Sequence, residues 1–160
     1  MEDGIESKRC RWAMLAERAA ALPRPLVLTN GVFDLLHRGH VEYLAQARSH
    51  GRSLVVGVNA DASVRRLGKG ADRPVVGEDD RAAVVAALAS VSLVVVFAEP
   101  TPRRLVELLR PEVYAKGGDY ELGRLAEAAL LAPWGGRAIT LPYLPQRSTS
   151  GLIARIRGPA

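Results

Sequence analysis

Two histidines three positions apart are the residues whose types and spacing best suit chemistry. His37 and His40 stand on either side of Gly39, shortly after an apolar run that ends near Gly31. Side chains three positions apart at a helix start can face the same way, and the free N–H groups of a helix N-terminus attract anions. We therefore predict a phosphate site in which both imidazoles donate hydrogen bonds to oxygens that gain charge during a reaction. Gly39 would let a ligand approach the backbone closely.

Metal binding by the same histidine pair is the weaker alternative. No third histidine and no acidic ligand is spaced nearby in an obvious way, as a zinc site requires. The sequence also contains no GxxxxGK[ST] loop, no GxGxxG after a strand and no HExxH pair. These absences disfavour a kinase, a dehydrogenase and a zinc protease, and we assign no metal ligand to the chain.

Two basic segments could hold further phosphates. Lys69 and Arg73 lie in a glycine-containing loop, where cations could swing onto a triphosphate, although solvated surface charge is the ordinary interpretation. Residues 147–150, Arg-Ser-Thr-Ser, precede an apolar helical pattern. Ser148 or Thr149 is an ordinary N-cap there, and a helix N-terminus with an arginine and hydroxyl groups is also a phosphate site. The two roles of this segment are compatible.

A glycine pair follows the fourth predicted strand. Lys116, Gly117, Gly118 and Asp119 stand at the carboxyl end of that strand, where glycine permits unusual dihedral angles or the close approach of a ligand. A simple turn is the alternative. Asp34, within the histidine turn, could orient that turn, bind an acceptor substrate or have a purely structural role.

The elements that must position these residues alternate between strand and helix about five times. Short apolar runs bounded by turn residues predict strands at residues 26–28, 53–58, 93–97, 113–115 and 137–141. Helical spacing and terminal signals predict helices at residues 11–22, 39–48, 60–67, 78–89, 101–109, 122–131 and 149–157. Apolar strands without alternation indicate a parallel sheet covered on both faces, so we predict a doubly wound α/β fold with five strands.

Length and composition limit the class of protein. A chain of 160 residues favours a single domain, with residues 1–25 as an N-terminal tail and short helix and residues 26–158 as the domain itself. The net charge of +5 suits small anionic substrates or a nucleic acid, but 5% aromatic residues are too few for a base-stacking surface. One cysteine excludes an internal disulfide. We expect a cytoplasmic location, because no apolar run approaches a membrane span and the N-terminus lacks a secretory signal pattern.

The segment from Thr29 to His40 resembles the HxGH motif of the nucleotidylyltransferase superfamily. Later segments are similar to that superfamily as well: residues 58–63 to its second strand and turn, 69–75 to its mobile basic loop, and 116–120 and 147–150 to its later motifs. Together these similarities cover about residues 26–157. Within the superfamily, the glycine pair is most similar to the branch that adenylylates heptose 1-phosphates.

The resemblance implies a Rossmann-like nucleotidylyltransferase fold and a role for each of these residues. The residues that would be catalytic are His37, His40 and Lys69. The residues that would contact the nucleotide are Thr29, Asn30, Gly31, Phe33, Gly39, Arg147, Ser148, Thr149 and Ser150. The residues that would contact the acceptor substrate are Asp34, Arg73, Lys116, Gly117 and Asp119.

The reaction that the resemblance implies is adenylyl transfer from ATP to a sugar 1-phosphate, D-glycero-β-D-manno-heptose 1-phosphate, giving ADP-heptose and pyrophosphate. Mg²⁺ would be the cofactor, bound mainly through the nucleotide phosphates. The implied partners are ATP and the sugar 1-phosphate, with no nucleic acid and no membrane, and a homodimer is expected. A cytidylyltransferase acting on a phosphorylated alcohol of the glycerol 3-phosphate type, or on a phosphonate, is the alternative. A non-catalytic nucleotide or nucleic-acid binding module is the third interpretation.

Overall fold

One parallel β-sheet with helices on both faces forms the protein, in a computed structural model that describes residues 4–118 and 121–159. The strands are β1 (Arg9–Cys10), β2 (Leu26–Gly31), β3 (Ser53–Asn59), β4 (Leu93–Phe97), β5 (Val113–Gly117) and β6 (Arg137–Leu141). Their order across the sheet is β1-β4-β3-β2-β5-β6, and every neighbouring pair is parallel. The predicted doubly wound α/β fold is confirmed.

The sheet has six strands where the sequence pattern predicts five. The additional strand, β1, pairs Arg9 with Val94 and Cys10 with Val95 at the edge of the sheet. Two residues are too few to give a recognisable hydrophobic pattern, and the strand forms because β4 offers it an open edge. The segment before residue 26 is therefore hydrogen-bonded to the sheet, and Leu15 also packs into the core beneath it.

Helices on both faces of the sheet lie close to the predicted positions, except that the short helix at Ile5–Lys8 was not predicted. They are α1 (Ile5–Lys8), α2 (Leu15–Ala20), α3 (Arg38–Ser49), α4 (Asp61–Arg66), α5 (Glu78–Ala86), α6 (Arg103–Leu109), α7 (Ala126–Leu131) and α8 (Thr149–Arg157). Where the sequence predicts continuous helices at 11–22 and 122–131, a 3-10 turn precedes a shorter α-helix. In the described part of the chain, no helix has the length and apolar character needed to cross a membrane.

Two hydrophobic layers, one on each face of the sheet, hold these helices. Val27 of β2 belongs to the layer that contains Leu44 of α3 and Val85 of α5. Its neighbours Leu26 and Leu28 point to the opposite face and join the layer formed with α2, α6 and α7. All residues of β3 are buried, which explains why this central strand is apolar without alternation.

The strand order reverses between β2 and β5. After β2 the chain adds β3 and β4 on one side of it, and then returns to place β5 and β6 on the other side. The two strands at the reversal are paired side by side, with Leu28 opposite Tyr114. Parallel sheets of this kind bind ligands in the crevice at the carboxyl ends of such strands. The histidine turn directly follows β2 and so lies at that crevice.

The packing of the turn between α3 and β3 can be tested at Gly51. A Cβ on Gly51 would lie 2.5 Å from the carbonyl oxygen of Pro25 and 2.7 Å from Val27 Cγ2. Because a backbone oxygen cannot rotate aside, we expect Gly51→Ala to lower the free energy of unfolding by about 1–3 kcal/mol, measured by urea denaturation. Gly4→Ala is the matched control, since no described atom lies within 4 Å of a Cβ there. Equal stability of the two variants would contradict this packing.

Candidate active site

A cavity of about 740 Å³ opens at the reversal of strand order. Its walls are the turn between β2 and α3, the loop of residues 67–77 (hereafter the basic loop), the end of β5 and the segment leading into α8. The predicted site residues that line it are Asn30, Gly31, Phe33, Asp34, His37, Gly39, His40, Lys69, Arg73, Gly117, Arg147, Ser148, Thr149 and Ser150. A second cavity of about 540 Å³, around Cys10 and Trp12, contains none of the predicted site residues.

The turn between β2 and α3 has a strained backbone. Phe33 and Leu35, on either side of Asp34, have φ angles of 53° and 47°. Non-glycine residues in this left-handed region carry strain of order 1–3 kcal/mol each, and they persist only where surrounding contacts fix them. The contacts that fix this turn are centred on Asp34, which is 1% exposed.

The carboxylate of Asp34 ties the histidine turn to the basic loop. It accepts hydrogen bonds from Arg73 Nε at 2.7 Å and from the backbone N–H groups of Val75 and Val76 at 2.9 and 3.0 Å. Burial raises the pKa of Asp34, but these hydrogen bonds outweigh it, and the pKa lies below its ordinary value. Asp34 and Arg73, both predicted to contact the acceptor substrate, therefore bind each other. Their contact with substrate stays a prediction.

The two imidazoles stack at the start of α3. Their ring centroids are 3.8 Å apart with 22° between the ring planes, and Phe33 packs edge-on against His40 at 5.4 Å. The backbone N–H of His37 donates to His40 Nδ1 at 3.4 Å, which leaves the proton of a neutral His40 on Nε2. The Nδ1 atom of His37 is buried without a hydrogen-bond partner among the described residues. Both histidines line the cavity.

Gly39 allows the imidazole of His37 to lie against the first turn of α3. A Cβ on Gly39 would be 2.8 Å from His37 Cε1 and 3.2 Å from Arg147 Cβ. A larger residue would push the His37 ring away from His40, or displace the segment that leads into α8. The lack of room for a Cβ at Gly39 does not depend on any ligand. The contact of Gly39 with a nucleotide stays a separate prediction.

Both histidines are held in the neutral form. Burial, together with the nearby His37 and Lys69, lowers the pKa of His40 to about 4 against the opposing effect of Asp34. Burial and the positive charge of Arg147 also lower the pKa of His37. A neutral imidazole can donate one N–H hydrogen bond without bringing a charge. Of the cations that line the cavity in the described part of the chain, Arg73 is paired with Asp34, and the others are Lys69 and Arg147.

The N-terminus of α8 forms the wall opposite the basic loop. Ser148 is its N-cap, and Ser148 Oγ accepts a hydrogen bond from the Gly151 N–H at 3.0 Å, which confirms the predicted cap. Thr149 Oγ1 donates to the carbonyl oxygen of Asp34 at 2.6 Å. Because this bond joins α8 to the histidine turn, the positive end of the α8 dipole lies beside the imidazoles.

Three predicted contacts lie away from the cavity or outside the described residues. Thr29 is fully buried, and its Oγ1 lies 2.7 Å from the Tyr43 hydroxyl and 2.9 Å from the carbonyl oxygen of Ala115. Thr29 thus supports the cavity floor from beneath, and its contact with a nucleotide stays a prediction. Lys116 lies in β5 but does not line the cavity. Asp119 lies outside the described residues.

Several lining residues were not found from the sequence. They are Val32, Tyr43, Tyr143, Leu144, Pro145 and Gln146. Tyr43 stands three positions after His40 on α3, so helical spacing could have found it. Tyr143 lies over Gly117, where a Cβ would be 2.6 Å from Tyr143 Cε1. The segment 143–146 has no sequence pattern of its own, and only the fold brings it to the cavity.

A parallel sheet with paired imidazoles, a helix N-terminus and two cations at its strand reversal defines the class of protein: an α/β enzyme that handles a polyphosphate. Comparison with known proteins places the chain more narrowly. It belongs to the cytidylyltransferase-like family, whose model matches residues 28–155. The predicted nucleotidylyltransferase resemblance is thereby confirmed, and the protein is an enzyme of the nucleotidyltransferase class.

Curated relatives and solved structures agree with this family. The chain is 55% identical over 155 residues, 96% of each chain, to a protein of Bordetella bronchiseptica named D-beta-D-heptose 1-phosphate adenylyltransferase. It is also 55% identical over 141 residues to the bifunctional protein HldE of Streptomyces coelicolor, covering 88% of this chain but 30% of that protein. The solved lipopolysaccharide core biosynthesis protein of Thermoplasma volcanium superposes with a TM-score of 0.62 at 27% identity, over 74% of this chain and 95% of that one.

The pKa of His40 gives a direct test of the site. With a folded pKa of about 4 against an ordinary 6.5, we expect its imidazole C–H resonance in NMR to titrate with a midpoint near 4. The unfolded chain takes up the proton near pH 6.5, whereas the folded chain does not. Stability should therefore fall as pH drops from about 6.5 towards 4. Assignment by a His40→Gln variant identifies the resonance, and a midpoint at or above 6.5 would contradict the burial of this ring.

Proposed function

We propose that this protein transfers the adenylyl group of ATP to D-glycero-β-D-manno-heptose 1-phosphate, giving ADP-heptose and pyrophosphate. The observation that carries the proposal is the stacked pair of neutral imidazoles beside the N-terminus of α8, at the strand reversal. The 55% identity to a protein named D-beta-D-heptose 1-phosphate adenylyltransferase supports the choice of nucleotide and acceptor.

The chemistry is an in-line displacement at the innermost phosphorus of ATP. A phosphate oxygen of the sugar 1-phosphate attacks Pα, and the bond from Pα to the oxygen bridging to Pβ breaks as the new P–O bond forms. Pyrophosphate leaves with the bonding electron pair. The acceptor phosphate is already an anion, so the enzyme needs neither a general base nor a covalent intermediate. Positioning and charge stabilisation therefore account for the catalysis.

Each side of the cavity supplies one part of that stabilisation. The Nε2–H of His40, with His37 stacked on it, donates to oxygens of the α-phosphate and of the bridge that gain charge. Lys69 and Arg147 bind the departing pyrophosphate together with the N-terminus of α8. The acceptor lies on the remaining wall, near Gly117, and the contacts of Lys116 and Asp119 with it stay predictions.

The proposed Mg²⁺ enters with the nucleotide. Among the described residues that line the cavity, Asp34 is the one carboxylate, and Arg73 and two backbone N–H groups already occupy it. No group of three His, Cys, Asp or Glu side chains in the described ranges could hold a metal ion. This donor set fits a Mg²⁺ ion that would be bound mainly by phosphates and water. The ion would neutralise negative charge on the triphosphate.

Cytidylyl transfer is the second candidate, favoured by the name of the family whose model matches. The two candidates differ in the base and in the acceptor, so substrate screening separates them. We expect pyrophosphate release with ATP and heptose 1-phosphate to exceed that with CTP, GTP or UTP. Higher turnover with CTP and glycerol 3-phosphate would support the second candidate instead. Steeply salt-dependent binding to RNA or DNA, with no pyrophosphate release from any triphosphate, would support a non-catalytic binding module.

We propose that the enzyme works as a homodimer in the cytoplasm. Its N-terminal helix is the candidate contact, since the N-terminal segment supplies the edge strand β1. Sedimentation velocity of the full chain measures this assembly state.

Removal of either imidazole should slow the reaction. We expect His37→Ala and His40→Ala each to lower kcat by about 10²–10³-fold, the scale of losing one preorganised donor, measured by pyrophosphate release. His50→Ala is the matched control, because His50 is exposed at the end of α3 and does not line the cavity. Turnover of both site variants close to that of His50→Ala would remove the pair from the mechanism.

Removal of the loop cation should act on the transition state. We expect Lys69→Ala to lower kcat/KM by about 10²-fold, because the charge on the leaving pyrophosphate loses a preorganised partner. Arg65→Ala provides the comparison, since Arg65 is an exposed cation of the preceding helix that does not line the cavity. An unchanged kcat/KM for Lys69→Ala would place the basic loop outside the reaction.

A further inference from the structure

A buried arginine outside the cavity holds three segments of the site together. Arg81 of α5 is 1% exposed. Its Nε donates to the carbonyl oxygen of Val76 at 2.8 Å, its Nη1 to that of Val32 at 2.6 Å, and its Nη2 to Asp61 Oδ1 at 2.6 Å. A buried guanidinium is stable only when its donors are satisfied. Arg81 therefore fixes the basic loop, the histidine turn and the start of α4 relative to one another.

Residue 76 is bound from both sides. The N–H of Val76 donates to Asp34 Oδ1 at 3.0 Å, while its carbonyl oxygen accepts from Arg81. On the turn, Val32 and Asp34 are the two acceptors, one for Arg81 and one for the loop. These bonds close a short ring of contacts between the turn and the end of the loop. Residues 73–76 of the basic loop are thus fixed to the histidine turn and anchor the loop there.

The exposed part of the loop is short, carries Lys69 and is held at Asp72 by an ion pair with Arg157. Residues 67–72 are exposed, whereas Arg73 is buried. Lys69 stands four positions before that anchor and lines the same cavity as His37 and His40. A chain segment this short has few conformations when its end is fixed, so the anchor limits where the ammonium group can lie. The same bonds also hold the left-handed backbone on either side of Asp34.

We infer that Arg81 is a positioning residue for the proposed nucleotidyl transfer: by anchoring residues 73–76 to the histidine turn, it sets Lys69 opposite the paired imidazoles. The expected effect on kcat rests on the proposed function. The hydrogen bonds that anchor residues 73–76 do not depend on it. Lysine cannot replace this arginine, because one ammonium group cannot donate along the three directions of the guanidinium fork.

The kinetic test compares Arg81→Lys with Arg18→Lys. Arg18 also donates to two backbone carbonyl groups, those of Arg9 and Ser7, but it does not line the cavity. We expect Arg81→Lys to lower kcat by about 10- to 100-fold, the scale of a small misplacement of a catalytic group, with a smaller change in KM for ATP. Arg18→Lys should stay within about twofold of the parent protein. A loss of the same size in both variants would overturn the inference.

The coupling to Lys69 separates positioning from general damage. In a Lys69→Ala background, Arg81→Lys should lower kcat by less than about twofold, because the group that Arg81 positions is already gone. A loss as large as in the parent background would overturn the inference. All variants are compared at a temperature where circular dichroism shows them folded.

A second readout needs no substrate. Trypsin cleavage after Lys69, followed by mass spectrometry on the native protein, should be several-fold faster in Arg81→Lys than in Arg18→Lys. If Arg81→Lys does not fold, Asp61→Asn is the second variant. Asparagine keeps an oxygen acceptor for Arg81 Nη2 but removes the negative charge, so this variant should also speed the cleavage after Lys69. Unchanged cleavage overturns the anchor. A parent protein that releases no pyrophosphate overturns the proposed function, while the cleavage rates still decide the role of Arg81.

Discussion

The buried carboxylate of Asp34 is the interaction on which the site depends. Its two oxygens accept from Arg73 and from the N–H groups of Val75 and Val76, and its own carbonyl oxygen accepts from Thr149. One residue thus joins the basic loop and α8 to the turn that carries the histidines. The strained backbone around Asp34 persists because these contacts, together with Arg81, fix it in place.

This arrangement produces a site whose charge is divided between two kinds of group. The imidazoles are half-buried and neutral, whereas Lys69 and Arg147 bring the positive charge that a triphosphate requires. Burial and nearby cations produce this division, because both disfavour an added proton on the rings. In the proposed reaction, the neutral donors would stabilise charge that appears at the α-phosphate, while the cations would bind charge that leaves with pyrophosphate.

Local patterns predicted much of the fold and part of the site. The strand at 93–97 has the predicted bounds, β3 is one residue longer than predicted, and Ser148 caps α8 as expected. These features depend on neighbouring residues, which the sequence displays directly. The two-residue strand β1 and the buried Arg81 were missed, because an edge pairing and a buried charge are defined by partners far along the chain.

By itself, the amino-acid sequence determined that two imidazoles follow a buried strand and begin a helix, and that cations and hydroxyl groups stand at other element ends. Only the tertiary structure decided which of these groups share a cavity, that Asp34 and Arg73 bind each other, and that Thr29 faces the interior. The physical reason is distance along the chain: Asp34 is 39 residues from Arg73 and 115 residues from Thr149. Hydrogen bonding and burial between such residues depend on how the sheet folds, and the pKa values of the histidines depend on that burial.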